Sequence, residues 1–71
     1  MDDIAKLVGE NLRVARKAKG LTQQELAKEL NKYQSDYSEY ETGIIQLDYE
    51  KIVYLCKRLE ITPNELFGFS L

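Results

Sequence analysis

The segment LTQQELAKELNKYQSDYSEYETG, residues 21–43, holds two short helical patterns separated by only a few residues. Thr22 and Glu25 have the spacing of a capping box, in which the hydroxyl accepts a hydrogen bond from the amide three residues on and the carboxylate reaches back. The apolar residues that flank the box, Leu21 and Leu26, have the spacing of a hydrophobic staple. A helix is therefore expected to begin just after Thr22 and to continue for about two turns.

The second pattern, between about Gln34 and Thr42, is the weaker of the two helix predictions. Gly43 is a good stop because glycine readily adopts the left-handed conformation that ends many helices. The position before the helix holds Tyr33, which lacks the short side-chain oxygen of a good N-cap, so a frayed or displaced first turn is expected. The helix is also acidic, since it carries Asp36, Glu39 and Glu41.

The rest of the chain repeats apolar residues at helical spacing, and no stretch alternates with the period of two typical of a strand. A helix is predicted over about 3–19, another opens at Asp48, and Thr62-Pro63-Asn64-Glu65 repeats the capping box with proline at the first helical position. The chain is therefore predicted to be all-α, a compact bundle of five short helices. Residues 1–71 are expected to form a single domain with its core at about 5–67. The side chains expected to be buried include Ile4, Val8, Leu12, Ala15, Tyr37, Tyr40, Tyr49 and Leu55.

Composition excludes several classes of protein. The 71 residues contain no His and one Cys, Cys56, so the chain can hold neither an internal disulfide, nor a His/Cys metal cluster, nor a Cys–His nucleophile. We therefore expect no metal, no cofactor and no enzymatic activity. Cys56 falls on the apolar face of a predicted helix and is expected to be a buried structural thiol. No apolar run is long enough to span a membrane and no signal-peptide pattern is present, so a cytoplasmic location is expected.

Charge is unevenly distributed along the chain. The net charge is −2, whereas nucleic-acid-binding domains are usually basic. Residues 1–32 contain seven Lys or Arg against five acids, and residues 33–71 contain three against seven. The N-terminal half is therefore the part suited to a polyanion, and the acidic second half is better suited to a basic protein partner.

Several motifs carry a family resemblance when taken together. LTQQELA at 21–27, YETG at 40–43 and TPNELF at 62–67 stand in the order and register of the helix-turn-helix domain of phage repressors, Cro and their bacterial relatives, the XRE-like family. The resemblance implies a lambda-repressor-like fold. It also implies a DNA-binding transcriptional regulator that inserts a recognition helix into the major groove, as a homodimer on an inverted repeat of double-stranded DNA.

The resemblance assigns DNA-facing roles to individual residues. Gln23 corresponds to a glutamine that meets a phosphate at the start of the positioning helix. Gln34, Ser35 and Glu39 take the base-facing positions of the recognition helix, and a glutamine amide can pair bidentately with adenine.

Other positions are assigned to structure or depart from the family pattern. Arg16 and Glu41 match a pair that joins the first helix to the third as a salt bridge in relatives. Lys32 and Tyr33 replace the usual apolar and small polar residues before the recognition helix, and both could donate to phosphate. A possible dimer surface is formed by Phe67, Phe69 and Leu71.

A second function remains open beside DNA binding. Many relatives carry a basic or polar loop after the glycine, whereas this chain has Ile44, Ile45 and Gln46. With the acidic second helix of the pair, this loop suits a protein-interaction module, antitoxin-like or anti-regulator, that binds a basic protein partner. DNA binding is the favoured interpretation, because affinity depends on local charge and on the contact surface rather than on the total charge.

Overall fold

Residues 3–69 are described in the computed structural model, and they form five helices. The helices are α1 (Ile4–Ala18), α2 (Gln23–Glu29), α3 (Gln34–Thr42), α4 (Tyr49–Leu59) and α5 (Pro63–Phe67). The all-α class and the number of helices are those predicted from the sequence. No helix within residues 3–69 is both long enough and apolar enough to cross a membrane.

Four of the helices begin at side-chain caps that the sequence contains locally. Thr22 and Thr62 each close a complete capping box with the glutamate three residues on, which confirms both boxes. Asp3 and Asp48 also accept a hydrogen bond from the amide three residues on. These caps satisfy amides that have no partner inside the helix, and each contributes on the order of 1 kcal/mol.

The helix α3 has no such cap, yet its first turn is regular. Tyr33 makes no side-chain capping hydrogen bond, as expected. The amide of Tyr37 nevertheless donates to the carbonyl of Tyr33 at 3.0 Å, so the predicted fraying or displacement does not occur. Gly43 ends α3 with φ of +82°, in the left-handed region that glycine tolerates.

All five helices contribute side chains to the core. Its fully buried large side chains are Tyr37, Leu12, Leu26, Leu55 and Leu66. Cys56 is buried as predicted, and burial, followed by the charge of Glu65, raises the pKa of its thiol. A thiol that stays protonated is a poor nucleophile, so Cys56 fills space in the core.

The prediction of burial is wrong for two residues. Ile4 is mostly exposed and Tyr49 is 87% exposed. Both are the first residues of their helices. A groove of about 230 Å³ opens there, lined in part by Ile4, Ile45, Tyr49 and Phe67. Both side chains therefore border this groove and are not part of the closed core.

Candidate nucleic-acid interface

The two helices of segment 21–43 are joined by a tight turn. Asn31 has φ of +60°, a left-handed conformation that asparagine adopts more easily than most residues. The amide of Lys32 then donates to the carbonyl of Ala27 at 2.9 Å. These features fix the chain reversal between α2 and α3, so that the N-termini of the two helices present Gln23 and Gln34 close together.

Glu41 is the centre of a buried hydrogen-bond network behind this surface. The Arg16 guanidinium binds the carboxylate bidentately: Nε donates to Oε2 at 2.7 Å and Nη2 donates to Oε1 at 3.2 Å. The Tyr37 hydroxyl donates to Oε2 at 2.6 Å. Gln23 Nε2 donates to Oε1 at 3.0 Å. The carboxylate therefore connects α1, α2 and α3 through a single side chain.

The network keeps Glu41 ionised although it is buried. Burial by itself raises the pKa of a carboxyl, but the hydrogen bonds from Arg16, Tyr37 and Gln23 outweigh it, and the pKa of Glu41 lies below its ordinary value. The hydrogen bond to Glu41 correspondingly raises the pKa of Arg16. Burial and then the bond to Glu41 raise the pKa of Tyr37, so its hydroxyl stays a donor. Both charges are thus compensated inside the fold.

Gln23 connects this buried network to an exposed side chain, Gln34. Since its Nε2 donates to Glu41, its Oε1 faces the other way and accepts from Gln34 Nε2 at 3.4 Å, a long hydrogen bond. Gln34 then has its own carbonyl oxygen and a second amide hydrogen to offer. That pair of groups is what bidentate recognition of adenine requires.

The other residues assigned to the interface occupy different settings. Ser35 is exposed beside Gln34, whereas Glu39 is half-buried near the end of α3. Tyr33 projects almost freely into solvent. The ammonium of Lys32 lies 5.9 Å from the centre of the Tyr40 ring, at the outer limit of a cation–π contact. Lys32 is thereby held near α3 while it remains exposed.

Sequence reasoning missed two contributors to this site. Tyr37 was expected only as a core residue, although its hydroxyl donates a hydrogen bond to Glu41, four residues further along the helix. That spacing is the available signal, because residues four apart meet on one helix face. Lys6 was also missed. It lines, with Glu10, Arg13, Gln23, Glu41 and Thr42, a groove of about 410 Å³ where α1 meets the start of α2 and the end of α3, and no motif connects these distant positions.

The tail residues expected at a dimer surface are not equivalent. Phe67 is half-buried and packs against the core. Phe69 is 70% exposed. Leu71 lies outside the described residues. Phe69 is therefore the one of the three that the structure describes as available to a partner.

Comparison with known proteins places the chain in a family. A family model described as a helix-turn-helix domain matches residues 9–68. The solved structure of the clp gene regulator ClgR from C. glutamicum is 27% identical with a TM-score of 0.77, over 89% of this chain and 82% of that one. The restriction-modification controller protein C.AhdI from Aeromonas hydrophila is 37% identical with a TM-score of 0.75, over 92% and 97%.

A more distant structure shares the same fold. The DNA-binding domain of BldD from S. venezulae is 20% identical with a TM-score of 0.76, over 93% of this chain and 99% of that one. No curated protein matches the chain. The family match covers most of the sequence, and the fold, the turn between α2 and α3 and the family motifs agree with it. The chain belongs to the XRE-type helix-turn-helix family of DNA-binding transcription regulators.

Proposed function

We propose that this chain is a sequence-specific regulator, a small repressor or controller, that inserts α3 into the major groove as a dimer on an inverted repeat. The observation that carries the proposal is the amide of Gln34. It lies exposed at the first position of α3 and is oriented by a chain of hydrogen bonds that leads through Gln23 to the buried Glu41. A surface amide held in one orientation is suited to binding a specific ligand, whereas a side chain that only keeps the surface polar needs no fixed orientation.

Base reading would then depend on the first turn and the outer face of α3. Gln34 donates to adenine N7 and accepts from adenine N6, while Ser35 accepts or donates and so reads bases loosely. Glu39 accepts from cytosine N4 but repels nearby phosphates, so it restricts sequence more than it strengthens binding. The three positions together favour a short, mixed half-site.

Phosphate contacts would position the domain on the duplex. Gln23 retains a second amide hydrogen, and the hydroxyl of Tyr33 and the ammonium of Lys32 lie exposed beside α3. Lys6 and Arg13 line the groove next to Gln23, although Arg13 is paired there with Glu10. Few such groups are available and the chain carries a net charge of −2. Non-specific affinity should therefore be low, and its dependence on salt should be shallow, because that dependence grows with the number of phosphate contacts.

A dimer is the assembly that this mode of binding favours. Two copies on an inverted repeat place their recognition helices about 34 Å apart, one turn of DNA. One copy measures 32 × 24 × 20 Å, which is compatible with that spacing for two copies side by side. The similarity to a restriction-modification controller protein, at 37% identity, supports a small controller of this kind. The function also requires access to DNA, which agrees with the expected cytoplasmic location.

The second candidate function is a protein-interaction module of the same fold. It is favoured by the loop after α3, where Ile44 and Ile45 are 72% and 44% exposed in place of basic residues. Asp36 on the outer side of α3 also suits a basic protein. We rank it second because it assigns no role to the oriented amides of Gln23 and Gln34.

Selection of bound sequences from random duplex DNA at low salt tests the proposal. The expected result is an enriched inverted repeat in which each half-site contains an adenine contacted by Gln34. A parallel selection with Gln34→Ala should enrich the same repeat without a preference at that position. Failure of the wild type to enrich any sequence, with no duplex bound at low salt, would contradict the proposal and favour the protein partner.

A further inference from the structure

One face of α4 is exposed and apolar although α4 also supplies core residues. Val53 and Tyr54 are 53% and 39% exposed, and Tyr49 is more exposed still. Together with Glu50 and Lys57 they line a shallow, largely apolar groove of about 490 Å³. We call these five residues the α4 face. They occupy one side of the helix, because positions spaced by three, four and seven residues lie together.

The α4 face is well prepared for contact with a partner. The hydroxyl of Tyr54 donates to Glu29 Oε1 at 2.6 Å, and Arg58 Nε donates to the same oxygen at 2.8 Å. The Tyr54 ring is thereby fixed in place with its polar end satisfied. Tyrosine side chains that are already ordered lose little entropy on binding, and tyrosine is enriched at protein interfaces.

The two charges of the α4 face differ from the other charges of this helix. Lys51 pairs with Asp48, its neighbour at the cap, and Arg58 pairs with Glu29. Glu50 and Lys57 form no ion pair with any of residues 3–69. They flank the apolar centre of the face, one nearer each end of the helix.

The spacing of Glu50 and Lys57 makes the face complementary to itself. The point midway between them along the helix falls between Val53 and Tyr54. A two-fold axis through that point would lay a second α4 antiparallel to the first, so that each Glu50 faces the Lys57 of the other copy. Symmetric contacts of this kind need one surface to contain both members of each pair, as the α4 face does.

We propose that the α4 face is a self-association surface, on which a second copy of this chain packs its own α4 in the antiparallel direction. This inference rests on the proposed function in one respect: the α4 face is taken to be the contact surface of the dimer that binds the inverted repeat. The apolar centre of the dimer surface is then formed by Tyr49, Val53 and Tyr54 of α4, and not by Phe67 and Phe69 of the tail. The paired charges set the direction of the two helices.

Exchanging the charges tests both the surface and its direction. In Glu50→Lys every expected ion pair becomes a contact between two lysines, and in Lys57→Glu it becomes a contact between two glutamates. Each variant alone should self-associate more weakly than wild type by about tenfold or more, as followed by sedimentation velocity. An equimolar mixture of the two variants should regain dimers, because every cross-copy pair is then opposite in sign.

The mixture also controls for effects on folding. Both exchanges place an unfavourable charge near an end of α4, so circular dichroism is recorded for each variant. A loss of dimer caused only by weakened folding would not be restored by mixing. Val14→Lys changes an exposed apolar residue on α1 and should leave association unchanged. Three results would overturn the proposal: a monomeric wild type at high concentration, single variants that associate like wild type, or a mixture that remains monomeric.

Failure of this inference can be told apart from failure of the proposed function. DNA binding by the wild type is measured separately at low salt. A wild type that selects a DNA sequence but stays monomeric refutes the α4 face and leaves the role of α3 intact. A wild type whose dimers respond to the charge exchanges but that binds no duplex supports the α4 face and contradicts DNA recognition.

Discussion

Glu41 receives hydrogen bonds from three separate elements: Arg16 of α1, Gln23 of α2 and Tyr37 of α3. A buried carboxylate is tolerated only when its hydrogen-bonding capacity is filled, and here both oxygens are used. The same side chain fixes the distance between α1 and α3 and the orientation of the Gln23 amide. One residue therefore supports both the stability of the fold and the shape of the proposed interface.

Truncation of Glu41 should be severely destabilising. Glu41→Ala leaves the guanidinium of Arg16 buried without its partner, which costs roughly 3–5 kcal/mol. For a domain of this size that corresponds to a fall in the melting temperature of roughly 12–40 °C. Thermal melting followed by circular dichroism measures it. Glu10→Ala, which breaks the exposed pair of Glu10 and Arg13, is the matched control and should cost about 1 kcal/mol or less. Equal effects of the two substitutions would contradict the role of Glu41.

The lowered pKa of Glu41 also predicts how stability depends on pH. Its folded pKa lies below the ordinary value of 4.5, so on acidification the unfolded chain binds protons first. Stability from the ionised carboxylate is present above about pH 4.5 and is lost as the pH falls through the folded pKa. Urea unfolding between pH 6 and pH 3 should show this loss, and Glu41→Gln should flatten it.

A second glutamate provides the comparison. Hydrogen bonds from Arg58 and then from Tyr54 lower the pKa of Glu29, which is partly exposed. Solvent screens that site, so Glu29→Gln should flatten the pH dependence less than Glu41→Gln does. If the two variants behaved alike, burial of Glu41 would not be the source of the effect.

Motif matching could find the partners of Glu41 only in part. The resemblance to a family paired Arg16 with Glu41, and Gln23 and Gln34 with DNA, as separate assignments. It did not reveal that Gln23 connects the two groups, because that link depends on which way a single amide is turned. The resemblance also gave no partner for the hydroxyl of Tyr37. The spacing of apolar residues predicts that the tyrosine ring is buried, but it does not predict what the hydroxyl contacts.

At the scale of the elements, Gly9 sets how closely α1 and α3 approach. A Cβ placed there would lie 2.4 Å from the carbonyl oxygen of Glu41 and 2.5 Å from that of Tyr40. Both atoms belong to the backbone of α3, so no side-chain rotation can relieve the contact. The close approach brings α3 within reach of the Arg16 side chain.

Gly9→Ala should therefore destabilise the fold despite the better helix propensity of alanine. Propensity favours alanine by about 1 kcal/mol, but the displacement of α3 costs on the order of 1–3 kcal/mol and also stretches the contacts of Glu41. The net loss should appear as a lower midpoint in urea unfolding. Lys17→Ala, at an exposed position of the same helix, should be nearly neutral. An unchanged or raised midpoint for Gly9→Ala would show that α3 does not lie against α1 at this distance.

Elements were predicted well where their signals are local. Capping boxes, N-caps and the glycine stops are read within a few residues. All five helix starts, and the ends of α1, α2 and α3, lie within about two residues of the predicted positions. The exposure of Ile4 and Tyr49 could not be predicted in this way, because it depends on which helix lies opposite. The close approach at Gly9 is likewise a tertiary fact without a sequence motif.

At the scale of the whole molecule, the positive and acidic halves of the sequence meet at one surface. Lys32 lies just before α3 and the backbone of Lys6 lies beside Gly43 at its end, whereas Asp36 and Glu39 lie along the helix. Such an arrangement attracts a duplex weakly and penalises incorrect sequences, because carboxylates near phosphate repel unless a base compensates them. A regulator built this way should depend on its operator more than on general attraction to DNA.

We infer that Gln34, held through Gln23 by Glu41, reads one base pair from the start of α3. Competition binding compares the selected inverted repeat with a repeat changed at that base pair, at two salt concentrations. Wild type should prefer the intact repeat by roughly 1–3 kcal/mol per half-site, and Gln34→Ala should lose that preference. Gln46→Ala, a matched change outside α3, should keep it. If Gln34→Ala retained the full preference, or if wild type had none, the claim would be contradicted.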